Sequence, residues 1–382
     1  MTSQASRFSP FADRAAAAFA AGAVFLVAWG LVHTWFWGHG QIVDWPTYLQ
    51  YGRSMRHGLV PYRDFAVEYP PGALPVFVLP TWLHADYASS FAWLMALCGV
   101  LLVAVVASLR PAAAFYVALG PLLIGSLILS RFDLWPALLA TASLVLLVRG
   151  RHLSGWALLG AAVAAKLWPL VLVPLALAWS IRRGRPYAPF AGAAVLLAVT
   201  LPFAVVSPGG LWDSISGQAS RPLQVESLGA AIVTTFSHPE IVTSHGAQNI
   251  VGHHLLAAAF SVLQLLVLAT LWVAFARGPA TGDRLLRYAA ACTCAFIVFG
   301  KVLSPQYLIW LLPLVPLVRG RRGLAATALL TLALILTQVW FPQRYFAYAL
   351  EFRNAGVVLV RDLVLVTLLA VLAWPRRLAR AG

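Results

Sequence analysis

A-A-A-A-F-A-A-G-A-V-F-L-V-A-W-G-L-V-H-T-W-F-W, residues 15–37, decides the fold class. The run carries no acid, lysine or arginine, and it exceeds the about 20 residues that a helix needs to cross the hydrocarbon of a bilayer. It is also too long for a signal-peptide core and lacks a small-residue cleavage site, so it is expected to remain as a signal anchor. Working outward, further apolar runs begin near residues 91, 112, 134, 153, 169, 188, 255, 288, 307, 323 and 355. Together they predict an all-α polytopic membrane protein of about twelve segments, some short or broken, in a single integral membrane domain over residues 1–382. The composition agrees: a chain that is 61% hydrophobic and 10% charged, with mean hydropathy +0.82, cannot present the polar exterior of a water-soluble domain.

Basic residues concentrate on the cytoplasmic side of membrane proteins, whereas acids are nearly indifferent. With the amino terminus inside, Arg7, Arg14, Arg110, Arg149, Arg151, the cluster Arg182, Arg183 and Arg185, then Arg277, Arg284, Arg287, Arg319, Arg321, Arg322, Arg376, Arg377 and Arg380 all fall at cytoplasmic ends. Of the 12 acids only Asp13 and Asp283 join them. This predicts a multi-pass plasma-membrane protein with both termini cytoplasmic. The net charge of +15 is then topology and not a nucleic-acid footprint, because the arginines come in twos and threes between spans without interleaved aromatics.

Two outer connections are long, residues 38–90 and 207–254, and function is expected there. The first should carry short interfacial helices, one of them over residues 45–57. The second shows no strong period and reads as a partly ordered loop. Cys98, Cys292 and Cys294 lie in apolar segments, with no redox or zinc spacing. Eight of the 9 histidines fall near the outer face without a metal-ligand pattern, so no metal and no cofactor are expected.

Only Lys166 and Lys301 among the 27 basic residues are lysines, and each sits inside an apolar stretch with proline three or four residues on. A charge at the bilayer centre costs roughly 2.5–3.5 kcal/mol or more, so both are expected to face a wet cavity and bind a phosphate. A helix starting just after each would add its free amides to such a site; the competing reading is lysines snorkelling to the headgroups. Arg131 is a further phosphate candidate, since guanidinium binds phosphate oxygens in a fork, while Asp133 beside it would close the hairpin as its ion-pair partner. Asp44, beside Trp45 and Tyr48 at the outer face, is placed to act as a general base or to cap the helix that starts with Pro46, and Tyr48 is a substrate-binding candidate. Arg63, Asp64, Glu68 and Tyr69 lie in a proline-fixed turn. Glu68 and Tyr69 are substrate-binding candidates; Arg63 either joins them or pairs with an acid to shape the loop. Arg221 and Glu226 in the second loop carry the same two readings, and Gln306 and Tyr307 are placed to hydrogen-bond a sugar.

Asp44 after the first span, G-L-V-P-Y-R-D-F at 58–65, E-Y-P-P-G at 68–72, R-F-D at 131–133, A-A-K-L-W-P-L at 164–170, R-P-L-Q-V-E-S-L at 221–228 and S-P-Q-Y-L-I-W-L-L-P at 304–313 occur in this order. Together they resemble bacterial glycosyltransferases of the GT-C class, particularly family 87, the polyprenyl-phosphate-mannose-dependent α-mannosyltransferases. The resemblance runs from about residue 20 to 320. It implies a GT-C-like fold and an inverting transfer at the extracytoplasmic face, from a polyprenyl-phosphate-linked sugar to a hydroxyl of a lipid or glycan acceptor, with Asp44 as the base. The chain lacks the second acid that follows the first in protein mannosyltransferases, having Trp45 there. A lipid-linked sugar flippase or transporter is the alternative from another class, since it too would need broken helices and a central anion site.

Overall fold

In a bilayer every backbone polar group must be satisfied within the protein, which selects helices for the spanning segments. The computed structural model describes residues 10–35, 42–83 and 85–374, and there each expected apolar run is helical. Arg7, Gly38, Arg376, Arg377 and Arg380 lie outside the described residues. The chain begins with α1 (Pro10–Trp35), then enters the first outer connection through α2 (Trp45–Arg56), a 3-10 turn (Pro71–Ala73) and α3 (Leu74–Val78). The helix expected at 45–57 is therefore present and one residue shorter. It returns through α4 (Tyr87–Leu109) and crosses again in pieces, α5 (Pro111–Ala118), α6 (Gly120–Ile124) and α7 (Leu127–Ser130). Gly125, at φ +69°, makes the break between the last two.

α8 (Leu134–Val148), α9 (His152–Ala165), α10 (Val173–Arg182, entered by a 3-10 turn at Trp168–Leu172) and α11 (Pro189–Val206) follow. The second outer connection, expected as a partly ordered loop, is instead built of α12 (Pro208–Ser220), α13 (Leu228–Phe236) and a hairpin of β1 (Ile241–Ser244) and β2 (Ala247–Ile250). The hairpin pairs Ser244 with Ala247 across His245 and Gly246, both at positive φ, the geometry of a tight two-residue turn. Gln224 bridges to Asn249, so R-P-L-Q-V-E lies along the hairpin as a further extended segment. Five apolar elements complete the chain: α14 (His254–Arg277), α15 (Gly282–Val298), the run Pro305–Leu317 containing α16 (Leu308–Leu314), α17 (Gly320–Trp340), and α19 (Ala355–Ala373) after the short α18 (Tyr345–Glu351).

Six helices among the described residues are long and apolar enough to span a membrane, and Leu134–Val148, His152–Ala165, Trp168–Arg182 and Pro305–Leu317 are shorter apolar ones. The protein is a multi-pass membrane protein. Several short elements stop at one end of the bundle: α8 starts after Asp133, α9 stops before Lys166, and the run from Pro305 starts after Ser304. Irregular backbone at such depth is tolerated where it lines a cavity or is covered by protein.

At the opposite end of the bundle, arginines satisfy the carbonyls that helix C-termini leave open. Arg110 donates to Pro316 O at 2.7 Å and Val318 O at 2.6 Å, Arg287 to Leu372 O at 2.8 Å and Trp374 O at 3.2 Å, and Arg284 to Phe275 O at 2.9 Å.

The E-Y-P-P-G turn is seated on the end of α9. A Cβ on Gly72 would lie 2.6 Å from the Ala164 carbonyl carbon and 2.7 Å from the Ala165 nitrogen, and Trp135 Nε1 donates to Gly72 O at 3.1 Å. Gly72→Ala is expected to lower stability by about 1–3 kcal/mol, the usual cost of forcing atoms into a packed contact. Thermal unfolding in detergent checks it; an unchanged midpoint would contradict the close approach.

Candidate active site

Asp44 stands at the N-cap position of α2, but its side chain makes no capping hydrogen bond. Its carboxylate instead pairs with the Arg131 guanidinium and accepts from Tyr48 OH at 3.3 Å. The two readings of Asp44 thus separate: it occupies the cap position while its charge is directed elsewhere. Arg131, in the turn between α7 and α8, is 5% exposed; it donates to Ile42 O at 3.3 Å, and its Nε has no hydrogen-bond partner.

Asp44 and Arg131 line a cavity of ≈ 170 Å³ together with Glu68, Tyr69, Arg221, Glu226, Gln306 and Tyr307. Segments far apart in sequence therefore meet here: the first loop, the 131–133 turn, the second loop and the chain after α15. Gln224, Ser304 and Tyr345 also line it and are new relative to the sequence reading. Gln224 and Glu226 alternate with the buried Leu223 and Val225, a period-two signal for an extended segment bordering a site. Tyr345 is on α18, where no motif marks it.

Other expected residues fall elsewhere. Lys166 lies behind the cavity wall and not on it. Its ammonium donates to Asp133 Oδ1 at 2.7 Å and sits over the rings of Phe132 at 4.6 Å, Trp310 at 5.4 Å, Tyr307 at 5.7 Å and Tyr69 at 5.9 Å. Trp310 Nε1 also donates to Asp133 Oδ1, at 2.7 Å. Asp133 thus serves Lys166 rather than closing the hairpin with Arg131. The ammonium is paired with a carboxylate and faced by π rings, outside the lining of the cavity that holds Arg131. Lys301 is not in the cavity lining either; its carbonyl accepts the Gln224 amide at 3.0 Å and so helps hold the second loop against the site.

Tyr48 is a supporting residue below the cavity, 1% exposed and stacked on Phe77 at 4.5 Å. Arg63 pairs with Asp64 through two contacts of 2.9 Å, and its guanidinium holds the Asp64 carboxyl down at about 2. The pair belongs to a neighbouring groove.

Glu226 is held by its backbone: Arg361 of α19 donates to its carbonyl at 3.0 Å, and Tyr348 OH donates to the preceding carbonyl, Val225 O, at 2.5 Å. Its carboxyl is 2% exposed with Oε2 unpartnered, and burial pushes it up from 4.5 to about 7. A carboxyl raised in the folded state binds more protons folded than unfolded between those values. Its contribution to stability is full below 4.5 and is lost as the pH rises to about 7. Glu226→Gln is expected to flatten the pH dependence of the thermal midpoint between pH 4.5 and 7. An identical slope in the variant would contradict this assignment.

These features match known proteins in two ways. The family model for glycosyltransferase family 87 matches residues 67–305, and that for mannosyltransferase (PIG-M) matches residues 241–376. No curated protein matches the chain. Among solved structures, ArnT from Cupriavidus metallidurans bound to undecaprenyl phosphate superposes with a TM-score of 0.51 at 14% identity, covering 93% of this chain and 76% of that one. The same protein in the apo state gives 0.50 at 15% identity over the same shares. At such identity the likeness speaks to the fold, which is that of a GT-C membrane protein. The family 87 match, by contrast, spans more than half of the sequence and includes the turn at Glu68, both sides of the Arg131 turn and the whole second loop. The chain belongs to glycosyltransferase family 87.

Proposed function

We propose that the protein moves a sugar, mannose by family resemblance, from a polyprenyl-phosphate donor to a hydroxyl of a lipid or glycan acceptor, with inversion, at the extracytoplasmic face. One observation carries the reading: two guanidiniums, Arg131 and Arg221, each with an unpartnered buried Nε, share one cavity with the Asp44 carboxylate. Cations that stabilise a departing phosphate and a carboxylate that takes a proton are the two things a single displacement needs. The solved ArnT structure bound to undecaprenyl phosphate supports the donor class. The arginine distribution supports an amino terminus inside the cell, which puts the cavity on the outer side.

In this mechanism the incoming phosphate competes with Asp44 for Arg131. As the guanidinium turns to the phosphate oxygens, the carboxylate is released to face the acceptor. The acceptor oxygen attacks the anomeric carbon, the bond from that carbon to the phosphate oxygen breaks with its electron pair going to the phosphate, and the hydroxyl proton passes to Asp44. Polyprenyl phosphate leaves as a stable anion. Gln306, Tyr307 and Tyr69 are positioned to hold the sugar, and the chemistry needs no metal or cofactor.

The test is transfer of radiolabelled mannose from polyprenyl-phosphate mannose by purified protein in detergent. Activity that survives a chelator is expected. Movement of the labelled lipid across vesicles without transfer would overturn the reading in favour of a flippase. Arg221→Gln is expected to weaken donor binding about tenfold or more, the loss of one charge-assisted contact to phosphate, read as a rise in donor KM.

A further inference from the structure

A second, larger opening of ≈ 520 Å³ lies beside the first, between the proline-fixed turn Tyr62–Glu68 and α12. Its volume falls in the range of about 300–1,000 Å³ of small-molecule sites. Glu68, Arg221 and His245 line both openings, so the two meet at one wall. That wall is a chain of hydrogen bonds: Gln218 Nε2 donates to Glu68 O at 3.2 Å, Arg221 Nη1 to Gln218 Oε1 at 3.4 Å, and Arg221 Nη2 to His245 O at 3.0 Å.

The helix forming one side has an unusual distribution. Gly210, Asp213, Ser214, Gly217 and Gln218 line the groove, spaced i, i+3, i+4, i+7 and i+8 on a single face. Trp212 and Ile215, off that face, are exposed. A helix packed on a protein ordinarily turns its apolar stripe inward; this one turns small and polar residues to the groove. Such a wall leaves space and hydrogen-bonding groups for a polar ligand, while Tyr62, Phe65 and Val67 on the opposite side give the groove an apolar face.

Charge narrows the ligand further. The groove has Asp64, Glu68 and Asp213 against Arg63 and Arg221, and Arg63 is already committed to Asp64. It therefore lacks the surplus of cations that an anionic ligand requires. Phe65, at the opposite wall, adds an aromatic surface.

We propose that this groove is the acceptor site and that it binds an uncharged saccharide, whose reacting hydroxyl reaches Asp44 past the wall formed by Gln218 and Arg221. The assignment rests on the transfer reaction proposed above. The acceptor and the lipid donor then enter by different openings, and the inner cavity keeps its arginines for phosphate.

Gly217 supplies the test, because it lines the groove, a Cβ there meets nothing within 4 Å and its backbone is helical, so Gly217→Leu adds its side chain to the groove. The probes are octyl α-dimannoside and its monophosphorylated counterpart, with polyprenyl-phosphate mannose as donor, and hydrolysis of the donor by water is followed separately. The expected result is preference for the neutral probe, with its KM raised about tenfold or more in Gly217→Leu and in Asp213→Ala and the donor KM and donor hydrolysis unchanged. Equal acceptor KM in wild type and both variants, preference for the phosphorylated probe, or donor hydrolysis without transfer to either probe would overturn the groove assignment and leave the donor reading standing. If the donor is neither hydrolysed nor transferred, it is the transfer reaction itself that fails.

Discussion

Asp44→Asn is expected to lower the transfer rate by ~10²–10⁴, the usual worth of a positioned general base, while polyprenyl-phosphate binding is retained and the donor-free protein loses some thermal stability because the buried Arg131 is left without its carboxylate partner. The substitution keeps the shape and removes the charge. Because the side chain makes no cap hydrogen bond to α2, the helix start loses nothing by it. Arg131 loses its carboxylate partner, but in the donor complex the phosphate takes that place. The expected pattern is thus a fall in kcat with a donor KM that does not rise and that falls to the extent that the phosphate no longer competes with Asp44 for Arg131. Wild-type turnover in the variant would exclude Asp44 as the base; a large loss of folded protein would show that the Arg131 pair is structural.

Asp133→Asn should produce the largest loss of stability, about 3–5 kcal/mol, since removing one partner of a buried ion pair strands the other charge. Asp133 is 1% exposed, and its Oδ1 is where Lys166 and Trp310 both donate. Adding Lys166→Met to the variant is expected to recover most of that loss, because the stranded ammonium is replaced by a flexible apolar side chain against the same rings. Thermal or denaturant unfolding of the two single variants and the double variant reads this directly. Purely additive losses would show that the two residues are not a pair. Partial transfer activity in a folded double variant would place Lys166 in a supporting role, whereas complete loss of donor binding would restore it as a phosphate ligand.

Span positions were legible because hydrophobic runs report the bilayer directly: each predicted start, from the run at 15 to the run at 355, corresponds to a helix or to a span broken into short helices. Asp44, Arg131, Glu68, Tyr69, Arg221, Glu226, Gln306 and Tyr307, which line one cavity, stand out in the sequence as charged, aromatic or polar residues at span ends and in the two long outer connections. What the one-dimensional pattern could not show is pairing. Lys166 and Arg131 looked equally available for phosphate, yet Asp133 lies where it reaches the lysine, leaving the arginine to Asp44. Which of two cations an acid meets is decided by the packing of α8, α9 and α16, and no local period carries that. The second loop was misread for another reason. Its elements are four to thirteen residues long, and only the alternation in R-P-L-Q-V-E and the His245–Gly246 turn announce them.

The arginines that close the helix ends have one more implication. Nη1 of Arg110 and Nη1 of Arg287 each serve two carbonyls at once while the guanidinium stays charged, and a guanidinium is more weakly hydrated than an ammonium and keeps further N–H donors on its planar head. The alkaline isoelectric point of 10.6 is therefore partly a by-product of joinery. Uniform Arg→Lys replacement along this rim would preserve the electrostatic cue for insertion and still loosen the bundle, separating two jobs that a simple tally of positive charge treats as one.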